Sequence, residues 1–370
     1  MDKGNINVHI FQNGLPFYRV PFFSSLYKRG LKITVHTPLK KDSIFKYYRD
    51  FTWVNYLGET ISFLDIFYFQ KGIFGVKFSK KDIIVIPGEP RNLSFMFIIL
   101  IARIRGIPIV WWGHYWSSTS SKKNLKLRIL LAKLCSSIIF YTDREVENFK
   151  SKFSTKKNIY ALNNGPNIKE INKYRKKYIP ELRKYELVFI GRLTKKSQLE
   201  NLIHALSILK SSGFYCLLNV IGIGKEEESL KLLSSQLNVS DLVKWHGSIF
   251  SEKKIAEVMN ISKLFVYPGA VGLSLTHAFA YGIPAVIHSN KSKHMPEIAA
   301  FKDGENGYSY DLNSVNSLAI TIKKAIENDN TLNMMSVNAL KIITEKYNIE
   351  MMTKNFENMI YETYQNHISK

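Results

Sequence analysis

Short apolar runs recur along this chain, separated by longer segments with an apolar residue every three or four positions. The runs at 7–11, 31–36, 82–86, 107–112 and 137–142 predict strands. The segments 22–28, 93–105 and 125–134 predict the helices between them. The pattern loosens through Asn163-Asn164-Gly165-Pro166-Asn167 and the charge run 173–177, turn chemistry of the kind that marks a domain boundary. It then restarts, with strands predicted at 186–190, 215–221, 243–246, 264–267 and 285–288, and helices at 199–211, 225–236, 252–260 and 274–281. The tail from Ser314 reads as mostly helical. Brief, wholly apolar strands alternating with helices call for parallel sheets covered on both faces. The expected class is α/β: two doubly wound, Rossmann-like halves facing a central cleft, with ligands at the carboxyl ends of the strands.

Composition narrows the function classes. The chain has 370 residues, more than one ordinary domain holds, and 45% are hydrophobic, enough for two cores and incompatible with a disordered chain. Two cysteines, Cys135 and Cys216, exclude a disulfide scaffold and a cysteine-based zinc site. The N-terminus leads straight into a short strand, with no secretory pattern. The longest uninterrupted apolar run, 95–102, stops at Arg103, far short of the ~20 residues a spanning helix needs. The expectation is a soluble or peripheral protein in the cytoplasm.

The formal charge is +22, and it is uneven. Residues 1–180 hold 31 basic and 11 acidic side chains, whereas 181–370 hold 21 and 19. Lys-, Asn- and Ile-rich codon usage accounts for an overall excess but not for this asymmetry. A field of this kind recruits polyanions: nucleic acid, an anionic membrane surface or a phosphorylated substrate. Segment 122–134 reads as a basic amphipathic helix suited to an anionic bilayer, or as a helix packed on its own sheet with a basic outer face.

Two stretches of the second half have the chemistry of an anion site. Gly191-Arg192-Leu193-Thr194-Lys195-Lys196 ends a strand. Glycine permits close backbone approach there, and the Arg192 fork suits diphosphate oxygens. The second stretch runs from Tyr267-Pro268-Gly269 through Gly272-Leu273-Ser274 and His277 to Gly282-Ile283-Pro284. Backbone N–H groups around Gly272–Ser274 can cradle an anion, although this is neither a Walker A loop nor the Rossmann glycine fingerprint. Each stretch also has a plain packing reading, as a solvated charge cluster and a tight strand–turn–helix.

In the first half, Gly14 follows strand one and Arg19 is placed to pair with a phosphate. Trp111-Trp112-Gly113-His114-Tyr115-Trp116 ends another strand with aromatics suited either to sugar stacking or to a core. Glu89 and Arg91, in the loop after 82–86, are candidates of the same kind. Glu297, beside His294, bonds a sugar hydroxyl or caps its helix.

The order of these motifs, with Val220-Ile221-Gly222-Ile223-Gly224, Met295-Pro296-Glu297-Ile298 and Asp303-Gly304-Glu305-Asn306-Gly307 between and after them, resembles glycosyltransferase family 4, retaining enzymes of the GT-B fold. The resemblance is strong over about 186–311. In the first half Gly14, Tyr141-Thr142-Asp143 and Asn163-Asn164-Gly165 fall in matching places. It implies a nucleotide-sugar transferase of hexosyltransferase type, with no cofactor and no metal. The co-substrate would be UDP- or GDP-linked. Domain 1–170 would hold the acceptor and 171–350 the donor, with 351–370 a helix packing back on the first domain.

Taking the resemblance together with the residue chemistry above, Arg192, Lys196 and His114 would be catalytic. Gly14, Gly191, Gly222, Gly272, Leu273, Ser274, His277 and Glu297 would hold the donor, and Arg19, Glu89, Arg91 and Trp112 the acceptor. Two departures stand out. Ser197 occupies the family's usual Lys position, leaving Lys195 or Lys196 to act for it. Gly269 and His277 occupy the positions of a Glu pair. The implied pathway is surface polysaccharide or O-antigen assembly on a lipid-linked saccharide, at the inner face of the cell membrane. The alternatives are a nucleic-acid-binding module, disfavoured because only 11 of the 52 basic residues are Arg, and an epimerase or hydrolase of the same fold.

Overall fold

The computed structural model describes residues 6–38, 51–64, 66–114, 122–183 and 186–369. The chain forms two compact units, 1–163 with 349–370, and 164–348.

The first unit runs β1 (Asn7–Phe11), α1 (Val20–Lys28), β2 (Lys32–Pro38), β3 (Val54–Leu57), β4 (Thr60–Phe63), β5 (Phe67–Gln70), β6 (Ile83–Pro87), α2 (Leu93–Arg105), β7 (Ile109–Trp112), α3 (Lys122–Leu134), β8 (Ser137–Phe140), α4 (Asp143–Lys152) and β9 (Asn158–Ala161). Seven strands form a parallel sheet in the order β3-β2-β1-β6-β7-β8-β9, while β4 and β5 make a separate antiparallel hairpin. Alternation sorts the sheet's residues between its faces. Ile83 and Val85 join the core under α1, and Ile84 and Ile86 the core under α2. Local chemistry sets the ends of α2: the Asn92 side chain accepts from Ser94 N–H at its start, and Gly106 takes φ 66° at its close.

The second unit runs α5 (Ile168–Asn172), β10 (Glu186–Ile190), α6 (Leu199–Ser211), β11 (Leu217–Ile221), α7 (Glu227–Gln236), β12 (Val243–Trp245), α8 (Glu252–Met259), β13 (Leu264–Tyr267), α9 (Leu273–Ala280), β14 (Ala285–His288), β15 (Gly307–Tyr310), α10 (Val315–Ile326) and α11 (Asp329–Glu345). Its parallel sheet has the order β12-β11-β10-β13-β14-β15. The chain then returns to the first unit as α12 (Ile349–Ile368), where Phe356 packs 5.5 Å from Phe22 and Thr363 Oγ1 bonds Ser137 Oγ at 2.7 Å.

Strand order reverses direction between β1 and β6 in one sheet and between β10 and β13 in the other. These are the two switch points at which open α/β sheets bind ligands. Three differences from the sequence expectation have local causes. The strand predicted at 137–142 stops at Phe140, because the Thr142 hydroxyl caps α4 by accepting from Glu145 N–H at 3.4 Å. The hairpin β4–β5 was not anticipated, since β4 is only four residues long and exposed at every position. Helix α4 was also unpredicted, as it buries only Glu145 and Phe149.

Candidate functional site

In the second unit the loops at the carboxyl ends of β10, β11 and β13 are joined backbone to backbone. Gly191 N–H donates to Ile221 O (2.9 Å), Leu193 N–H to Ile223 O (3.0 Å) and Gly222 N–H to Gly247 O (2.8 Å). Gly269 N–H donates to Ser197 O (3.0 Å) and Ala270 N–H to Lys196 O (3.1 Å). These approaches explain the glycines. Gly222 has φ 143°, and a Cβ there would overlap the Gly191 carbonyl oxygen; a Cβ on Gly269 would overlap the Lys196 carbonyl oxygen. Gly222 is therefore demanded by the neighbouring strand's loop, not only by a ligand.

The loop before α9 is held from its other side as well. Tyr310 Oη donates to Pro268 O at 2.8 Å, and Val271 N–H donates to His294 Nδ1 at 3.2 Å. His294 Nε2 in turn donates to His288 O (2.8 Å), which fixes the neutral tautomer with its proton on Nε2. The two imidazoles stack with centroids 3.7 Å apart, and burial pushes both down to about 4. Gly272 caps α9, so the N–H groups of Leu273 and Ser274 begin a helix and lack intrahelical acceptors.

Exposed cations surround this frame. Arg192, Lys195 and Lys196 are all exposed. Burial pushes the Tyr267 phenol up, and the charge of Arg192 opposes that shift. Ser197 is buried, and its hydroxyl is fully engaged in a cap: it donates to Thr194 O (2.6 Å) and accepts from Thr194 N–H (3.2 Å). Glu297 is buried and does not cap its own 3-10 turn. Its Oε1 accepts from Asn164 Nδ2 at 3.1 Å, and its carboxylate lies beside Gly272.

His277 is placed one turn into α9. Its Nε2 donates to Glu252 Oε1 at 2.9 Å, and Tyr281 Oη donates to the same oxygen at 2.6 Å. Burial works against the Glu252 carboxylate, yet the hydrogen bond and charge of His277 hold it below the usual range. Glu252, Tyr281 and His294 were missed by sequence reasoning. The bonds Val271–His294, Glu252–His277 and Glu252–Tyr281 span 23 to 29 residues, and no spacing rule connects them.

The first unit builds its carboxyl edge from side chains. Gly14 lies in the loop after β1, half-buried. Trp112 requires a correction: it is 2% exposed, packed against Phe22, Phe23 and Phe356, and offers no face to a sugar ring. Arg19 covers it, with the guanidinium 4.7 Å from the Trp112 ring and 5.4 Å from Tyr141, and is itself buried. Glu89 and Arg91 face each other across a two-bond fork (2.9 and 3.2 Å), so each neutralises the other. The His114 ring lies tilted against Tyr141, centroids 4.4 Å apart, with Nδ1 3.8 Å from Glu145 Oε1. Tyr115 and Trp116 lie outside the described residues. Among the described residues no three His, Cys, Asp or Glu side chains gather to hold a metal, and no helix is long and apolar enough to cross a membrane.

Comparison with known proteins adds to this geometry. Residues 170–342 match the family model for glycosyl transferases group 1. An uncharacterized glycosyltransferase of Haemophilus influenzae is 23% identical over 251 residues, 66% of this chain and 67% of its own. The crystal structure of Anabaena HepE in complex with UDP aligns with TM-score 0.71 at 17% identity, over 96% of this chain and 99% of its own. The lipopolysaccharide outer core galactosyltransferase WaaB, in its apo form, aligns with TM-score 0.68 at 14% identity, again over 96% and 99%. The fold is GT-B, with two Rossmann-like domains. Together with the family match, these findings support a glycosyltransferase.

Proposed function

We propose that this chain is a retaining hexosyltransferase that moves a sugar from a nucleoside-diphosphate donor to a lipid-linked saccharide in surface polysaccharide or O-antigen assembly. It would work at the cytoplasmic face of the membrane. The observation that carries the donor assignment is the frame at the β10/β13 switch point. Its own amides at 269, 270 and 271 are satisfied internally, and what it leaves outward is Arg192, Lys195, Lys196 and the first-turn amides of α9. Those groups suit a diphosphate. UDP in HepE favours a UDP-linked donor, and WaaB's action on the lipopolysaccharide outer core favours a surface saccharide as acceptor.

In this reading the bond between the anomeric carbon and the β-phosphate oxygen breaks as the acceptor oxygen bonds to the same face of that carbon. Negative charge grows on the leaving diphosphate, and Arg192 with Lys196 or Lys195 neutralises it. Prearranged charge of this kind is worth roughly 2.7–4 kcal/mol per donor group. The acceptor hydroxyl's proton passes to a leaving phosphate oxygen or to His114, whose ring lies 4.4 Å from Tyr141 and whose Nδ1 is 3.8 Å from Glu145. Ser197 takes no part, because its hydroxyl is engaged in the cap. His277, fixed by Glu252, stands in for the second residue of the family's Glu pair toward the ribose, and Glu297 binds a sugar hydroxyl.

Thermal shift with UDP, GDP, ADP and a short oligonucleotide tests the assignment. One diphosphate is expected to stabilise the wild type by about 2.7 kcal/mol at ~100 Kd, and Arg192→Ala to lose the effect. Stabilisation by the oligonucleotide alone would replace this reading with nucleic-acid binding. Turnover of donor without any acceptor would point to an epimerase or hydrolase.

A further inference from the structure

Among the described residues, Glu297 is buried without a salt bridge. It is 5% exposed, and the one hydrogen bond it makes there runs from Asn164 Nδ2 to Oε1, from a residue itself 4% exposed. Its second oxygen, Oε2, has no partner among those residues and lies 3.6 Å from where a Cβ on Gly272 would stand. A carboxylate taken out of water is costly unless hydrogen bonds replace its hydration. One bond from a neutral amide leaves Oε2 as an acceptor that calls for further donors.

The pair is held from both sides by backbone. Asn164 precedes Gly165, where a Cβ would overlap the Tyr347 carbonyl oxygen. The next residue, Asn348, is tied to the end of α11, its Nδ2 donating to Ile343 O and Thr344 O at 2.8 and 2.9 Å. On the Glu297 side, Met295 N–H donates to Val271 O at 2.9 Å, and a Cβ on Gly272 would press on Met295 at 3.2 Å. The carboxylate therefore stands at a fixed place beside the cap of α9, whose first-turn amides are the ones assigned to the diphosphate.

The group joined to that diphosphate is the donor sugar, and chemistry says which kind suits the site. The loop 268–274 contains no acidic residue, and Gly269 has no room for a side chain, so the acid beside the cap is Glu297. A neutral sugar presents hydroxyls that donate to Oε2. A sugar acid presents a second carboxylate, and like charges repel strongly where water is largely excluded.

We infer that Glu297 selects a neutral, hydroxyl-bearing donor sugar against a sugar acid, and that Asn164 is the positioning residue that sets its carboxylate. This deepens the transfer reading and rests on it. The test is calorimetric titration of the full chain with UDP, UDP-glucose, UDP-galactose, UDP-N-acetylglucosamine and UDP-glucuronate. If GDP is the diphosphate that binds, GDP, GDP-mannose and GDP-mannuronate take their place.

At least one neutral sugar nucleotide is expected to bind about tenfold or more tighter than the sugar acid. Glu297→Gln keeps the bond from Asn164 and turns an N–H outward in place of Oε2. It should leave bare-diphosphate affinity within about twofold, weaken the neutral sugar nucleotide, strengthen the sugar acid and so reduce the discrimination about tenfold. Asn164→Ala should reduce the same discrimination without touching bare-diphosphate affinity, and add nothing when combined with Glu297→Gln. Asn164→Ser gives the same readout if the alanine variant does not fold. Three results would overturn the inference: a sugar acid bound as tightly as every neutral sugar, Glu297→Gln lowering bare-diphosphate affinity as much as sugar-nucleotide affinity, or effects at 164 and 297 that add. If no diphosphate binds, the transfer reading falls and this inference with it. If one binds and the sugars are not told apart, this inference alone falls.

Discussion

The carboxyl edges of the two sheets are built by different means. In the second unit, main chain meets main chain: Gly222 and Gly269 exist because neighbouring carbonyls leave no room for a Cβ. In the first unit, side chain meets side chain, with Arg19 on Trp112, Glu89 on Arg91 and His114 near Glu145. A frame made of backbone constrains residue type through sterics, and suits a group common to many substrates, such as a diphosphate. An edge made of side chains can be rewritten one residue at a time, which suits an acceptor that differs from one enzyme to the next.

The largest effects should break this contrast at its foundations. Gly269→Ala is expected to destabilise the second unit by about 3 kcal/mol or more, because the clash is with backbone that cannot step aside. Trp112→Ala should cost the first unit a comparable ~3–5 kcal/mol, as loss of a buried core aromatic. Urea unfolding measures both. If Trp112→Ala left the midpoint unchanged and altered only acceptor affinity, the core assignment of Trp112 would be wrong. Arg192→Ala makes the opposite kind of change. Its side chain is exposed, so stability should hold while nucleotide affinity falls by about a hundredfold.

Legibility in the sequence follows the same division. Helices 93–105 and 199–211 and strands 186–190, 264–267 and 285–288 appear in the structure at the residues read from the chain, because strong apolar patterns and sharp breaks bound them. β15 was missed because Gly-Tyr-Ser-Tyr has no apolar run, and β4 because nothing covers it. In the site, the Gly191-Arg192 loop could be seen as a chemical unit. The reason for Gly222 could not, since it lies in a carbonyl 31 positions earlier that only sheet pairing brings near. His294 and Glu252 are invisible for the same reason: each acts through a partner that tertiary packing selects.

An intermediate effect sharpens the comparison, because each unit holds a close pair of imidazoles, both buried in the second and one, His36, buried in the first. In the second, burial holds His288 and His294 to about 4; in the first, burial and the nearby His9 hold His36 to about 3. The folded chain keeps these rings neutral, whereas the unfolded chain takes up their protons near pH 6.5. Stability should therefore be complete above about pH 6.5 and decline as pH falls toward about 4, by up to about 1.4 kcal/mol per pH unit for each ring. A Gln at position 294 can accept from Val271 N–H and donate to His288 O without titrating. His294→Gln is thus expected to flatten the acid decline of the second unit and leave that of the first. Urea midpoints measured at about pH 7 and about pH 5 decide it, and acid-independent midpoints would show that the rings are not held neutral.

The smallest effect belongs to Glu89 and Arg91. The fork between them is well formed, and Arg91 also lies over the Tyr68 ring at 5.3 Å, yet the Arg91 side chain is 53% exposed. Burial raises the Glu89 carboxyl, and the hydrogen bond and charge of Arg91 bring it below its ordinary value, so their attraction outweighs the desolvation. Solvent screening keeps the net worth of such a pair within about 1 kcal/mol. A double-mutant cycle through Glu89→Gln and Arg91→Met should recover a coupling of that size, shrinking as salt rises. A coupling several times larger would mean that the first unit's edge is as rigid as the second's, and the contrast between a side-chain edge and a backbone edge would have to be abandoned.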